Sequence, residues 1–462
     1  MSQTALTNGN PLASPAPDGV SMTVSPEDFS LLTDLYELTM GACYVGEGIA
    51  DQPASFELFA RRLPPAYGYL IAMGLAPALE YLQALSFSAE QVQQLQQMRI
   101  FDQAPEGFWS LLSGKVFTGD VWAVPEGTAV FANEPLLRVE APLWQAQLVE
   151  TYLLNTLNYQ TLIATRAARM RDVVGENAKL LEFGTRRAFS PQASLWAARA
   201  ALAAGFDATS NVAAALKLGE VPSGTMAHSL VMAIAALKGS EDQAFTAFSR
   251  YFPQAPLLID TYDTIAAAQR LAQQVQAGER EVSGVRLDSG DVAQLSKQVR
   301  SLLPETAIFA SGDLDEWEIK RLLTKGAVID GYGVGTRLVT GTPVNGVYKL
   351  VEIDGIGTQK ASTSKETYPG RKQIFRRWEQ GTVQRDRLGL MSESPESDET
   401  PLLIPVMKGG EVQSPRESLD RLRDRARQSV LALPDAVRQL SDPTLFTVEL
   451  SSQLQHLTTQ ET

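Results

Sequence analysis

From Lys179 onward the chain repeats one pattern. A short apolar run ends in glycine or polar residues, and a helical segment follows. The runs are "KLLEFGTRRA", "AGFDATSN", "VPSGTMAHS", "LLIDTYDT", "GVRLDSGD", "AIFASGD" and "GYGVGT". They recur roughly every 15–35 residues, the spacing of strand–helix units in a parallel sheet. Seven such runs predict a barrel. In barrels of this kind the site is built at the C-terminal strand ends. Those ends carry Glu182, Arg186, Asp207, Ser210, His228, Asp260, Asp263, Arg286, Asp288, Asp291, Asp313 and Thr336.

The 462 residues are enough for more than one domain. The expected division is a disordered tail (1–28), an N-terminal α/β domain with antiparallel strands (29–150) and the α/β barrel (151–345). A C-terminal region (346–462) is expected to pack back on the N-terminal domain. Within it, "NGVYKLVEI" reads as a strand, "KASTSKETYPGRKQIFRRW" as a basic loop entering a strand, and 385–415 as loop. "SPRESLDRLRDRARQSVLAL" reads as an amphipathic helix. The fold class is therefore α/β, a TIM-like barrel joined to an α/β domain that C-terminal segments complete. "LWQAQLVETYLLNTLNYQTLIATRAARMRDVV" is a long helical stretch bridging the two.

Net charge is −13, which argues against a nucleic-acid partner. An anionic small molecule would need a local basic pocket. The single cysteine, Cys43, allows no internal disulfide and fits a cytoplasmic setting. With two histidines, little remains for a zinc site. No apolar run is long enough to span a bilayer, and the Ser/Pro/Asn-rich start lacks the pattern of a signal peptide.

"LLTDLYELTMGACY" has helical spacing and two apolar stripes. Leu31, Leu35, Leu38 and Ala42 form one; Tyr36, Met40, Cys43 and Tyr44 form the other. Two stripes mean cover on both sides, either ordinary core or a second subunit.

Four motifs can carry chemistry. The glycine turns "FASGDLDEWEI" and "YGVGT" let backbone N–H groups approach an oxyanion, with Gly312, Asp313, Gly333, Gly335 and Thr336 at their tips. Either alone also suits an empty tight turn. In "GVRLDSGD", Arg286 can grip a carboxylate or phosphate, while Asp288 and Asp291 can hold sugar hydroxyls or a hydrated magnesium ion. A self-satisfied ion pair with a helix cap fits equally well. "EFGTRRAFSP" sets Phe183 beside Arg186, a pairing suited to a flat anion or simply to a buried ring and a surface charge. His228 follows "SGT" at a strand end; it is structural, a ligand or the centre of the chemistry.

In order and spacing these segments resemble the nicotinate phosphoribosyltransferase family, from "LLTDLYELTMGACY" through "FGTRRA", "GFDATSN", "GTMAHS", "LIDTYDT", "VRLDSGD", "GVGT" and "VYKLV" to "KETYPGRKQ". The resemblance implies a type II phosphoribosyltransferase, with an α/β domain and an irregular, incomplete TIM-like α/β barrel, that joins nicotinate to 5-phosphoribosyl 1-diphosphate. The products are nicotinate mononucleotide and diphosphate, in salvage towards NAD. It implies coupling to ATP through a phosphorylated histidine, here His228, and a requirement for Mg2+. It carries Tyr36, Phe183, Arg186, Thr225 and Arg286 over as nicotinate contacts. It places Thr336 in the phosphoribosyl diphosphate site, where Gly312, Asp313, Gly333 and Gly335 of the two glycine turns are expected to hold phosphate. Asp288, with His228, is expected to be catalytic. A homodimer is implied, with Tyr36 supplied across the interface. The resemblance leaves two alternatives, a nicotinamide-using relative and a non-catalytic homologue that binds the same ligands. "FDATSNV" sets Ser210 where nicotinamide enzymes of the wider group present an aspartate, which favours the acid.

Overall fold

The computed structural model describes residues 23–360, 367–413 and 415–460. The expected tail therefore lies mostly outside the described residues, as does 361–366 of the basic loop. Where the chain is described, order begins before Phe29, in a 3-10 helix at Pro26–Leu31.

The N-terminal part is built on three long or paired strands, β1 (Pro53–Ala60), β2 (Asp120–Ala123) and β3 (Pro135–Pro142). β1 is buried along both faces although Ser55 and Glu57 alternate with Ala54, Phe56 and Leu58; the buried Glu57 is paired with Lys372. Helix α1 (Leu35–Gly46) buries Leu38, Gly41 and Ala42. A Cβ on Gly41 would come within 3.2 Å of the Phe108 ring, so glycine allows the close approach. The expected stripe is only half realised. Leu31 and Leu35 remain exposed, because Leu31 belongs to the 3-10 turn and the α-helical register starts only at Leu35. Helix α2 (Glu150–Val174) is the predicted bridge; a turn at Val149 separates it from a short helix, Leu143–Leu148.

The barrel sheet has six parallel strands: β4 (Lys179–Glu182), β5 (Ala208–Thr209), β6 (Leu257–Leu258), β7 (Gly284–Leu287), β8 (Ala307–Ala310) and β9 (Gly331–Val334). Their order is β6-β7-β8-β9-β4-β5. The seventh expected strand, "VPSGTMAHS", is not one. Val221–Ala227 runs between β5 and β6 without a ladder, held by Ser223 N–H donating to the Thr209 carbonyl (2.9 Å) and by the Thr225 hydroxyl donating to the Pro256 carbonyl. Pro222 has no N–H to give, and proline in a central strand removes a ladder bond. The closure is therefore irregular, as the family resemblance implied and the seven-run pattern alone did not.

Helices follow the strands, and side chains cap them. Asn211, Asp263, Asp291 and Asp315 each accept a backbone N–H from the first turn. Asp263 and Asp291 thus serve as helix caps. Asp207 also moves off the expected rim: it precedes β5 at the opposite end of the barrel, where it binds Arg171 (2.5 Å) and the Leu180 N–H.

Strand β10 (Gly346–Ile353) lies antiparallel against β1. Strands β11 (Lys372–Glu379) and β12 (Thr382–Leu390) form a second sheet, and β13 (Ile404–Lys408) pairs with β2. The stretch 385–415 is therefore strand-rich, not loop. Its arginines hid the pattern: Arg387 is paired with Glu393 and Glu399 and its guanidinium packs on Phe375. The predicted amphipathic helix is Leu419–Leu431.

Candidate active site

A cavity of about 410 Å³ runs inside the barrel, bordered by Phe183, Thr225, Arg286, Phe309 and Gly333. Two aromatic rings shape it. A Cβ on Gly331 would lie 2.5 Å from the Phe309 ring, and one on Gly333 would lie 2.4 Å from the Phe183 ring. The rings therefore occupy space that only glycine leaves free. Gly333 itself sits within β9, paired to Leu181. Its visible role is to seat Phe183, where the sequence had suggested a phosphate turn.

Arg286 projects from β7 into this cavity. Its side chain is 14% exposed and its Nε is buried without a partner. The nearest carboxylate oxygen, Asp288 Oδ1, is 3.9 Å away, beyond hydrogen-bond reach. Burial pulls the guanidinium pKa below its usual value; Asp288 and Asp260 oppose that, and Arg186 adds to it. Arginine nonetheless stays charged near neutral pH. Arg186 lies exposed on the turn after β4.

At the rim, His228 is the first residue of the helix His228–Lys238. Its Nε2 is 3.2 Å from Asp260 Oδ1; the ring is 39% exposed and the aspartate side chain only 2%. Asp260 Oδ2 accepts the Asp288 N–H (2.8 Å) and the Ser289 hydroxyl (2.7 Å). Asp288 Oδ1 accepts the Ser311 hydroxyl. Gly312 follows with φ +100°, and a Cβ there would be 2.9 Å from the Asp288 carbonyl. Asp313 and Thr336 are exposed on the neighbouring turns, with Gly335 partly buried between Thr336 and the strand. Thr225 borders the cavity, although its hydroxyl is committed to Pro256.

One expected contact is elsewhere. Tyr36 lines a separate cleft with Asn155, Asn158, Tyr159 and Phe189 and is 43% exposed. It does not face the barrel cavity of its own chain. Residues not assigned from sequence also belong here: Asp260, which holds His228; Phe309, the second ring; and Glu182. The Glu182 carboxylate is buried and accepts the Gly184 N–H and the Thr209 hydroxyl, which fixes the turn bearing Phe183. Asp260 and Glu182 stood among the polar strand ends, but nothing in spacing separated them from the capping aspartates.

No group of three or more His, Cys, Asp or Glu side chains suited to a metal occurs among the described residues. Magnesium usually keeps several waters and binds through one or two carboxylates plus substrate phosphates. Asp288, 35% exposed at the rim, fits that role.

A barrel with a flat slot, a buried uncommitted cation and a histidine–aspartate pair at its mouth defines an enzyme site for a small aromatic anion. Three family models cover the chain: the N-terminal domain of nicotinate phosphoribosyltransferase (NAPRTase) at residues 31–158, the NAPRTase family at 178–366 and the C-terminal domain at 391–458. The chain belongs to the nicotinate phosphoribosyltransferase family. It is 43% identical over 424 residues to nicotinate phosphoribosyltransferase pncB2 of Mycobacterium tuberculosis (strain ATCC 25618 / H37Rv), covering 89% of each chain. It is 45% identical over 367 residues to the nicotinate phosphoribosyltransferase of Bacillus subtilis, covering 76% of this chain and 73% of that one. The crystal structure of human nicotinic acid phosphoribosyltransferase matches with a TM-score of 0.81 at 29% identity, covering 93% of this chain and 99% of that one.

Proposed function

We propose that this chain transfers phosphoribosyl from 5-phosphoribosyl 1-diphosphate to nicotinate, yielding nicotinate mononucleotide and diphosphate. The observation that carries this reading is Arg286, a buried cation with no hydrogen-bonded carboxylate among the described residues, beside Phe183 and Phe309. A nicotinate carboxylate supplies the missing partner, and the rings take the pyridine faces. Arg186 adds positive charge at the entrance. Asp288 would hold the sugar hydroxyls and magnesium; the metal would neutralise charge on the departing diphosphate. The turns at Gly312–Asp313 and Gly335–Thr336 would receive the phosphates, with Gly333 shaping the ring slot below them.

ATP is the proposed co-substrate and His228 the phosphorylated residue. With Nε2–H donated to Asp260, the lone pair lies on Nδ1. The Nδ1–phosphorus bond forms as the bond to ADP breaks. The new phosphate, carrying about −1.5 to −2 charges by analogy with other phosphorylated side chains, sits at a helix N-terminus, where the helix dipole favours it. A homodimer in which the partner's copy of the Tyr36 segment closes each site accounts for Tyr36 and Phe189 being exposed on this chain. The single cysteine and the use of ATP fit a cytoplasmic enzyme.

The test follows product and ADP with and without ATP, for wild type and His228→Ala. The variant is expected to fold normally but to lose ATP hydrolysis and phosphate incorporation. Unchanged coupling in the variant contradicts the assignment.

A further inference from the structure

Among the described residues, every carboxylate near Arg286 already has another partner. Asp260 is bound by His228, the Asp288 N–H and the Ser289 hydroxyl. Asp288 is the remaining candidate. It stands two residues along the same strand line, and the register that pairs Arg286 with Phe309 brings Asp288 beside Ser311. Ser311, only 6% exposed, donates its hydroxyl to Asp288 Oδ1. That same oxygen is the one 3.9 Å from Arg286.

We propose that Ser311 is a specificity-determining positioning residue: its hydroxyl restrains Asp288 from pairing with Arg286, so the guanidinium stays free for a substrate carboxylate. The inference rests on the nicotinate reading above. A closed Arg286–Asp288 pair would have to be broken by every incoming acid, and it would neutralise the charge that distinguishes an acid from its amide. A charge-assisted Arg–carboxylate bond is among the stronger polar contacts in a buried site. Competition from a tethered internal carboxylate would remove much of that advantage.

The consequence is one of discrimination. Loss of Ser311 weakens nicotinate more than nicotinamide, because only the acid depends on the free cation. Any harm done to Asp288 in its service to the sugar is common to both ligands and cancels in their ratio.

Dissociation constants of nicotinate and nicotinamide are to be measured by calorimetry on the full-length protein and its variants. Ser311→Ala should lower the nicotinate preference about tenfold, the equivalent of one lost charge-assisted contact. Ser311→Thr, which keeps the hydroxyl, should retain it. In an Asp288→Asn background, Ser311→Ala should change nicotinate affinity less than about twofold, since no competing charge remains. An equal loss of both ligands in Ser311→Ala, or an undiminished effect in the Asp288→Asn background, overturns the proposal while leaving the nicotinate reading intact. A wild type that prefers nicotinamide overturns both.

Discussion

At the scale of single residues, a few side chains with unusual surroundings carry the site. Arg286 is one. Its removal in Arg286→Gln should raise the nicotinate KM by roughly ten- to hundredfold, corresponding to a charge-assisted bond of about 1.5–3 kcal/mol. Nicotinamide binding should change little; steady-state kinetics with one ligand and competition with the other check this. Gly333 is another. Gly333→Ala drives a methyl into the Phe183 ring at 2.4 Å. The strained core is expected to lose about 1–3 kcal/mol, read as a lower melting temperature, and nicotinate affinity should fall as the ring shifts. Ordinary melting and unchanged affinity would show that Phe183 moves without consequence.

At the scale of elements, α1 and α2 are tied at their starts. Glu37 accepts the Thr151 N–H (2.9 Å) and its hydroxyl (2.7 Å), and Asp34 accepts the same hydroxyl (2.9 Å). Tyr36 lies between those two acids on α1. Burial pushes the Glu37 carboxyl up to about 8, with the Thr151 bonds opposing. A carboxyl raised in this way holds a proton in the fold that the unfolded chain has released. Its contribution is therefore complete below about 4.5, its ordinary value, and is lost as pH rises through about 8. The wild type should melt lower at pH 8 than at pH 6. Glu150 and Glu182 are raised by burial too and add to that slope, so the measurement that isolates Glu37 is the narrowing of the difference in Glu37→Gln. An unchanged difference would show that Glu37 titrates normally.

The same scale shows how much was legible beforehand. Six of seven barrel runs became strands because each carries a short, mostly apolar core between turn residues. "VPSGTMAHS" looked alike in composition, but Pro222 denies it a ladder. Strand β11 was legible in "KQIFRRW", but the end of β12 was harder to read, since Arg376 and Asp386 are buried as a bidentate pair at 2.9 and 2.6 Å. Charge in a sequence signals surface only when its partner is unknown. The site divided in the same way. Arg286 and His228 stood out as isolated functional types, whereas Asp260 and the capping Asp263 and Asp291 are identical in sequence character and differ only in what they touch.

At the scale of the whole molecule, the chain's end completes its beginning. β10 lies against β1 and β13 against β2. Lys372 reaches Glu57 at 2.9 Å, with side chains 3% and 0% exposed. A chain ending at Asn345 would strip strands from both sides of that sheet and leave Glu57 with Arg138 alone, at 4.0 Å, so it should not yield a soluble cooperative fold. The proposed shared site has its own signature. At nicotinate near the wild-type KM, Tyr36→Ala and Arg286→Gln, each impaired alone, should regain up to roughly a quarter of wild-type activity after mixing and subunit exchange, since half the dimers would carry one intact site. The central claim, transfer of phosphoribosyl to an acid gripped by Arg286, is tested most directly by product identity. The purified protein is supplied with 5-phosphoribosyl 1-diphosphate, Mg2+, ATP and equal nicotinate and nicotinamide, and the mononucleotide is identified by mass. The account predicts nicotinate mononucleotide in large excess; nicotinamide mononucleotide as the main product, or neither, would contradict it.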